Sequence, residues 1–170
     1  MNTFSEIVAG LRLPVIQAPM FLVSGPAMVI AACRAGIIGS FPTQNVRSDP
    51  ELAEWFGTID AATGERGGCA PYAVNLIVHA SYPRRDNDLE AVLRYRPRIV
   101  ITALGSPRSV VDAIHAYGGI VLADVISVKS RVLSRRGTWV VVEAVSQGRG
   151  RHSRSVKKFE KLRLNSGSSR

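Results

Sequence analysis

The chain has 170 residues, 46% hydrophobic and 21% charged, a balance ordinary for a single globular domain. Its net charge of +9 is unevenly spread: residues 1–128 hold ten Lys and Arg against eleven Asp and Glu, and residues 129–170 hold twelve against two. The neutral body offers no surface for a phosphate backbone, which argues against a nucleic-acid partner. No apolar run of about 18 residues and no basic-then-apolar leader is present, so the expectation is a cytoplasmic protein without a membrane partner. Cys33 and Cys69 match no metal spacing and read as buried or half-buried thiols, with no metal implied.

The first apolar run, Val15–Ala18, predicts a buried strand that ends in Pro19-Met20. A helix follows over about Gly25–Ala35, with Ser24 as N-cap, Pro26 in the first turn and Gly36 at its C-terminal cap. Ile37–Ser40 predicts a second strand and Phe41–Val46 a loop. Asp49 then caps a helix running to about Ala62, with Glu51 and Glu54 near its positive end. After a Gly-rich loop, Tyr72–Leu76 predicts the third strand, Val78–Arg85 a loop and Asp88–Tyr95 a helix. Arg98–Thr102 is the fourth strand, and Pro107–Tyr117 a helix stopped by Gly118-Gly119. Ile120–Val125 is the fifth strand, Ser127 caps a further helix, and Trp139–Val142 is a candidate sixth strand.

Unbroken apolar strands alternating with helices predict a parallel sheet with covered faces, an α/β fold. The pattern alone leaves two closures open, a doubly wound sheet or a (β/α)₈ barrel. No Gly-x-Gly-x-x-Gly follows the first strand, which lowers the dinucleotide-binding alternative. In either closure, ligands sit at the C-terminal ends of the strands.

Four phrases fall at those ends: PVIQAPM at 14–20, AVNLIV at 73–78, IVITALGSP at 99–107 and GGIVLADVISVK at 118–129. Together and in this order they resemble the nitronate monooxygenase (2-nitropropane dioxygenase-like) family over roughly residues 8–129. The resemblance implies an FMN-binding TIM barrel that oxidises alkyl nitronates with dioxygen. Relatives on the same barrel include a flavin-dependent enoyl-reductase, so an NAD(P)H-dependent flavin reductase is the alternative activity.

Position by position, the resemblance implies cofactor binding by Ala18, Pro19 and Met20 through backbone against the flavin ring. It implies the same role for Asn75 on the third strand and for Lys129 after the fifth. His152, in Gln147-Gly148-Arg149-Gly150-Arg151-His152, is similar in placement to the family's catalytic base, though arginines stand where the family has small residues. From the residues alone, each has a plainer reading. Met20 suits a core turn, Asn75 a strand-to-strand hydrogen bond, Lys129 a solvated helix start and His152 an exposed position in a basic tail. His79, just past the third strand, is a weaker candidate, and His115 reads as a helix-surface residue.

The resemblance ends after His152. The expectation is therefore an incomplete (β/α)₈ TIM barrel of about five to six βα units over residues 1–145, followed by a basic, disordered C-terminal tail over 146–170. The abrupt charge change near residue 129 also leaves open an out-of-frame tail. The chain reads as a truncated flavoenzyme of impaired activity, acting on a small-molecule nitronate with dioxygen and self-associating through uncovered sheet edges. A non-enzymatic protein that binds through its basic tail is the reading from another class.

Overall fold

The structure, a computed structural model, describes residues 4–64, 68–124 and 140–142. Lys129, His152, the Ser127 cap and the 146–170 tail lie outside the described residues.

Among the described residues five strands form one parallel sheet: β1 (Ser40–Pro42), β2 (Ala73–Ile77), β3 (Ile99–Ala103), β4 (Ile120–Asp124) and β5 (Val140–Val142). Each strand pairs with its predecessor, giving the order β1-β2-β3-β4-β5. The helices are α1 (Phe4–Ala9), α2 (Pro26–Arg34), α3 (Asp49–Thr63), α4 (Arg85–Tyr95) and α5 (Val111–Ala116). A doubly wound sheet reverses its strand order at a switch point, whereas a barrel keeps it sequential. The unreversed order resolves the two closures in favour of part of a (β/α)₈ barrel.

Side-chain alternation divides the sheet into two faces. Phe41, Val74, Leu76, Val100 and Val121 pack with Val29, Leu52, Phe56, Ile59, Val92 and Ile114 of the helices. Phe56 is the hub of this layer. Its ring stacks on Tyr95 at 4.7 Å and meets Phe41 edge-on at 5.6 Å, tying α3 to both α4 and β1. Ala73, Ile99, Ile101 and Leu122 point the other way and cluster with Ile7 and Ile38. Ala73, Ile99 and Ile120 begin their strands, so α1 closes this inner face at its N-terminal end and leaves the C-terminal rim to the loops.

Several expectations are corrected. Val15–Ala18 is not a strand, because its pairing reduces to one parallel bridge, Ile16 with Ile38. The Gln17 side chain takes over the ladder: its Oε1 accepts from the Ser40 amide at 2.9 Å, and Ser40 Oγ donates to the Gln17 carbonyl. Phe41–Val46 is not a loop; it holds most of β1 and a 3₁₀ turn, Thr43–Asn45. Ser24 does not cap α2, whose N-cap is Gly25. The cap of α3 is Ser48 rather than Asp49, with Ser48 Oγ accepting from the Glu51 amide and Glu51 Oε2 accepting from the Arg47 amide. The helix over 107–117 divides at Val110 into a 3₁₀ turn, Pro107–Ser109, and α5. Gly36, just past α2, has φ +83°, the left-handed terminator expected there.

Candidate functional site at the C-terminal rim

The rim is built by three segments. The first is the loop from Ala18 to Ser24. Ser24 is fully buried beneath it, where Oγ accepts from the Met20 amide at 3.0 Å and from Gln17 Nε2 at 2.9 Å, and donates to the Ala18 carbonyl at 3.1 Å. Asn45, just past β1, grips the same loop from the other side. Its Oδ1 accepts from the Leu22 amide at 2.9 Å, and its Nδ2 donates to the carbonyls of Met20 and Ser24 at 3.1 and 2.8 Å. With the Met20, Leu22, Val23 and Ser24 amides bonded within this framework, the loop turns side chains outward: Met20 is 39% exposed and Leu22 is 75% exposed. Leu22 sits at φ +61°, a left-handed conformation that costs a leucine about 1–2 kcal/mol.

The second segment is the strand end bearing Asn75. Asn75 shares the inner face with Ala73 and Ile77 and pairs in register with Pro42 on one side and Ile101 on the other. It is 7% exposed; Nδ2 donates to the Ile101 carbonyl at 3.2 Å. The plainer sequence reading, a strand-to-strand hydrogen bond, therefore accounts for the amide nitrogen. The carboxamide oxygen accepts from none of the described residues and remains available to a donor from the rim. Nearby, Thr43 is fully buried just past β1, and its Oγ1 has no hydrogen-bond partner among the described residues.

The third segment joins the β2–α4 loop to the turn after β3. Ile77, His79, Ser81, Tyr82, Pro83 and Leu104 line an open cleft of about 430 Å³. The Ser81 amide donates to His79 Nδ1 at 3.2 Å, and Ser81 Oγ lies 2.7 Å from the same nitrogen. An accepting Nδ1 places the ring proton on Nε2. An ionic knot anchors this loop from below. Arg84 reaches Asp49 Oδ1 at 2.9 Å and the fully buried Asp88 Oδ1 at 3.0 Å, and Tyr82 Oη donates to Asp88 Oδ2 at 3.1 Å. Burial alone would lower the Arg84 guanidinium, but the two carboxylates outweigh it and hold it firmly protonated. Burial, then Asp88, pushes the Tyr82 phenol up to about 12. Leu104 closes the cleft at φ +55° and is 68% exposed, a second left-handed leucine on the rim.

The predicted residues Ala18, Pro19, Met20 and Asn75 thus lie on one rim, the first three against the end of β1 and Asn75 in the next strand. His115 is half-buried in α5, away from the rim. Cys33 is buried, Cys69 half-buried, and neither is in a disulfide; burial raises the Cys33 thiol above its ordinary range, opposed by a hydrogen bond from the Gly39 backbone. Among the described residues no group of three His, Cys, Asp or Glu side chains is placed to hold a metal ion. No helix among them is long and apolar enough to cross a membrane.

The sequence reading missed Gln17, Ser24 and Asn45 as the framework of the first loop. Their signal is weak, a set of small polar residues flanking proline-bounded turns. The same reading also missed the Arg84–Asp88 pair, because 78–85 read as a loop and the helix as starting at Asp88; α4 begins at Arg85, and the four-residue spacing is the signal that could have found the pair.

No protein-family model matches the chain, and no curated protein matches it. Solved structures do. FabK from Thermotoga maritima superposes with a TM-score of 0.67 at 19% sequence identity, covering 81% of this chain and 42% of that one. A mutant of the same protein superposes with a TM-score of 0.69, also at 19% identity, covering 84% of this chain and 46% of that one. The likeness is one of fold. This chain spans less than half the length of those structures.

Proposed function

We propose that this chain carries the flavin-facing arc of an FMN-dependent oxidoreductase, with Ala18, Pro19, Met20 and Asn75 at the cofactor. The observation that carries the reading is the convergence of the Met20 loop and the Asn75 strand on one C-terminal rim, where ligands of such barrels gather. The likeness in fold to FabK supports the barrel, and the sequence resemblance supplies the flavin.

The residues present fit such a group. Pro19 and Met20 offer an apolar bed, held in place by the Ser24 and Asn45 bonds to the Met20 backbone. Asn75 spends its amide nitrogen on the Ile101 carbonyl and keeps its amide oxygen for a ring N–H. Bound flavin would supply electron transfer to dioxygen or from a nicotinamide. The chain's own contribution is to hold the ring, exclude water from one side of it and fix its orientation through Asn75. Lys129 and His152 complete the reading as the cation near the cofactor and the base that removes a proton from carbon beside a nitro group.

Two reactions suit this rim. The sequence resemblance suggests nitronate oxidation first, with NAD(P)H-dependent flavin or enoyl reduction as the alternative on the same barrel. Adding FMN to the full chain and following the quenching of flavin fluorescence tests the shared part. Binding is expected, weakened about tenfold in Asn75→Ala, the value of one buried hydrogen bond. Equal affinity in both proteins would remove Asn75 from the site. Anaerobic bleaching of the bound flavin by NADH favours the reductase. Oxygen consumption with an alkyl nitronate and no NADH favours the oxidase.

A further inference from the structure

Two leucines on the rim, Leu22 and Leu104, combine a left-handed backbone with broad exposure. A non-glycine residue in that conformation lowers stability, and an exposed side chain recovers nothing through burial. Leu104 stands where two rim loops pack closely. Its neighbour Gly105 lies so close to the β2 loop that a Cβ there would stand 3.1 Å from Val78 Cγ2 and 3.4 Å from the His79 amide nitrogen. Gly105 secures the contact between the two loops, and Leu104 turns outward over the cleft. Ile77, Tyr82, Pro83 and Leu104 give the cleft an apolar wall, and His79 and Ser81 form its polar end. No described residue bonds His79 Nε2, the nitrogen left carrying the proton.

We infer that this cleft is a subsite for a small amphiphile, an alkyl chain lying against Leu104 and Ile77 with an oxyanion head accepting from His79. The inference rests on the reading of the rim as the substrate side of a flavoenzyme, and it names the substrate class as one with an aliphatic chain of several carbons. A volume of about 430 Å³ holds such a molecule. Leu104 acts as a specificity residue, and His79 as the head-group donor. Arg84 does not compete for the anion, because Asp49 and Asp88 already neutralise it.

The test titrates butanoate, hexanoate and octanoate into the full chain, observed by ligand NMR, with FMN binding measured separately by fluorescence. Affinity is expected to rise about twofold per methylene, half the full-burial value because the cleft is open on one side. His79→Ala is expected to weaken all three ligands by about tenfold and preserve that slope. Leu104→Gly is expected to flatten the slope while leaving Tm unchanged or higher, because glycine accepts the left-handed conformation. A preserved slope in Leu104→Gly, or a fall in its Tm, overturns the proposal by making Leu104 structural. FMN binding without binding of the carboxylates overturns the subsite and leaves the flavin reading standing. Carboxylate binding with the expected slope but no FMN binding supports the subsite and removes the flavin reading.

Discussion

The two rim loops solve one problem by different chemistry. Residues 18–24 are held by neutral groups, the hydroxyl of Ser24 and the carboxamides of Asn45 and Gln17. Residues 79–83 are held by charge, through Arg84 between Asp49 and the buried Asp88. A left-handed, exposed leucine accompanies each, Leu22 within the first loop and Leu104 beside the second. The difference teaches how each loop yields. A carboxamide bonded at three points loses its contacts one by one, whereas the fully buried Asp88 carboxylate depends on the half-buried Arg84 for its countercharge and is destabilised at once when that cation goes.

Substitutions that release one loop and spare the other sharpen this contrast. The largest effect is expected from Arg84→Ala. It strands the buried Asp88 carboxylate and should lower stability by about 3–5 kcal/mol, read by chemical denaturation, with proteolysis opening first near residues 79–83. Equal protease sensitivity at residues 18–24 would erase the distinction between the loops. Asn45→Ala should cost about 1–3 kcal/mol, and hydrogen exchange should accelerate at the Leu22 amide while the Ser81 amide stays protected. Ser24→Ala should cost about 1–2 kcal/mol, because two donors and one carbonyl lose their shared partner, with exchange accelerating at the Met20 amide.

The smallest effect separates the loops by pH. The Tyr82 phenol is raised from 10.0 to about 12, first by burial and then by Asp88. A raised phenol binds its proton more tightly in the folded chain. Its stabilisation is therefore complete below pH 10 and is lost as pH rises from there through about 12. The charged loop should loosen in that window and the neutral loop should not. Burial also raises Tyr72 and Tyr117, so the global curve falls in alkali as well. Tyr82→Phe should remove only the part of the loss that exchange reports at residues 79–83.

The repeating strands and helices were legible because their signals are local and redundant. α3 and β3 fall within a residue or so of the expected ranges, and Gly36 ends α2 in the left-handed form that only glycine adopts freely. Asn75 was legible as the one polar group in an apolar strand. The rim was harder to read, because its form is set by partners distant in the chain. Nothing near Val15–Ala18 indicates that the Gln17 side chain replaces a backbone ladder with Ser40. Ser24 has every local qualification of an N-cap, yet it serves a turn six residues long. In the Leu104-Gly105 pair, local chemistry assigns the left-handed conformation to glycine. The close approach of Val78 and His79 claims Gly105 for its missing side chain instead, and the leucine takes the unusual backbone.

The unreversed strand order bears on how the chain is made. Each strand finds its pairing edge on the strand synthesised before it, so each pairing waits only for the intervening helix to emerge. Assembly on the ribosome then proceeds by accretion, each new strand docking on a platform already in place once the crossover helix before it has emerged.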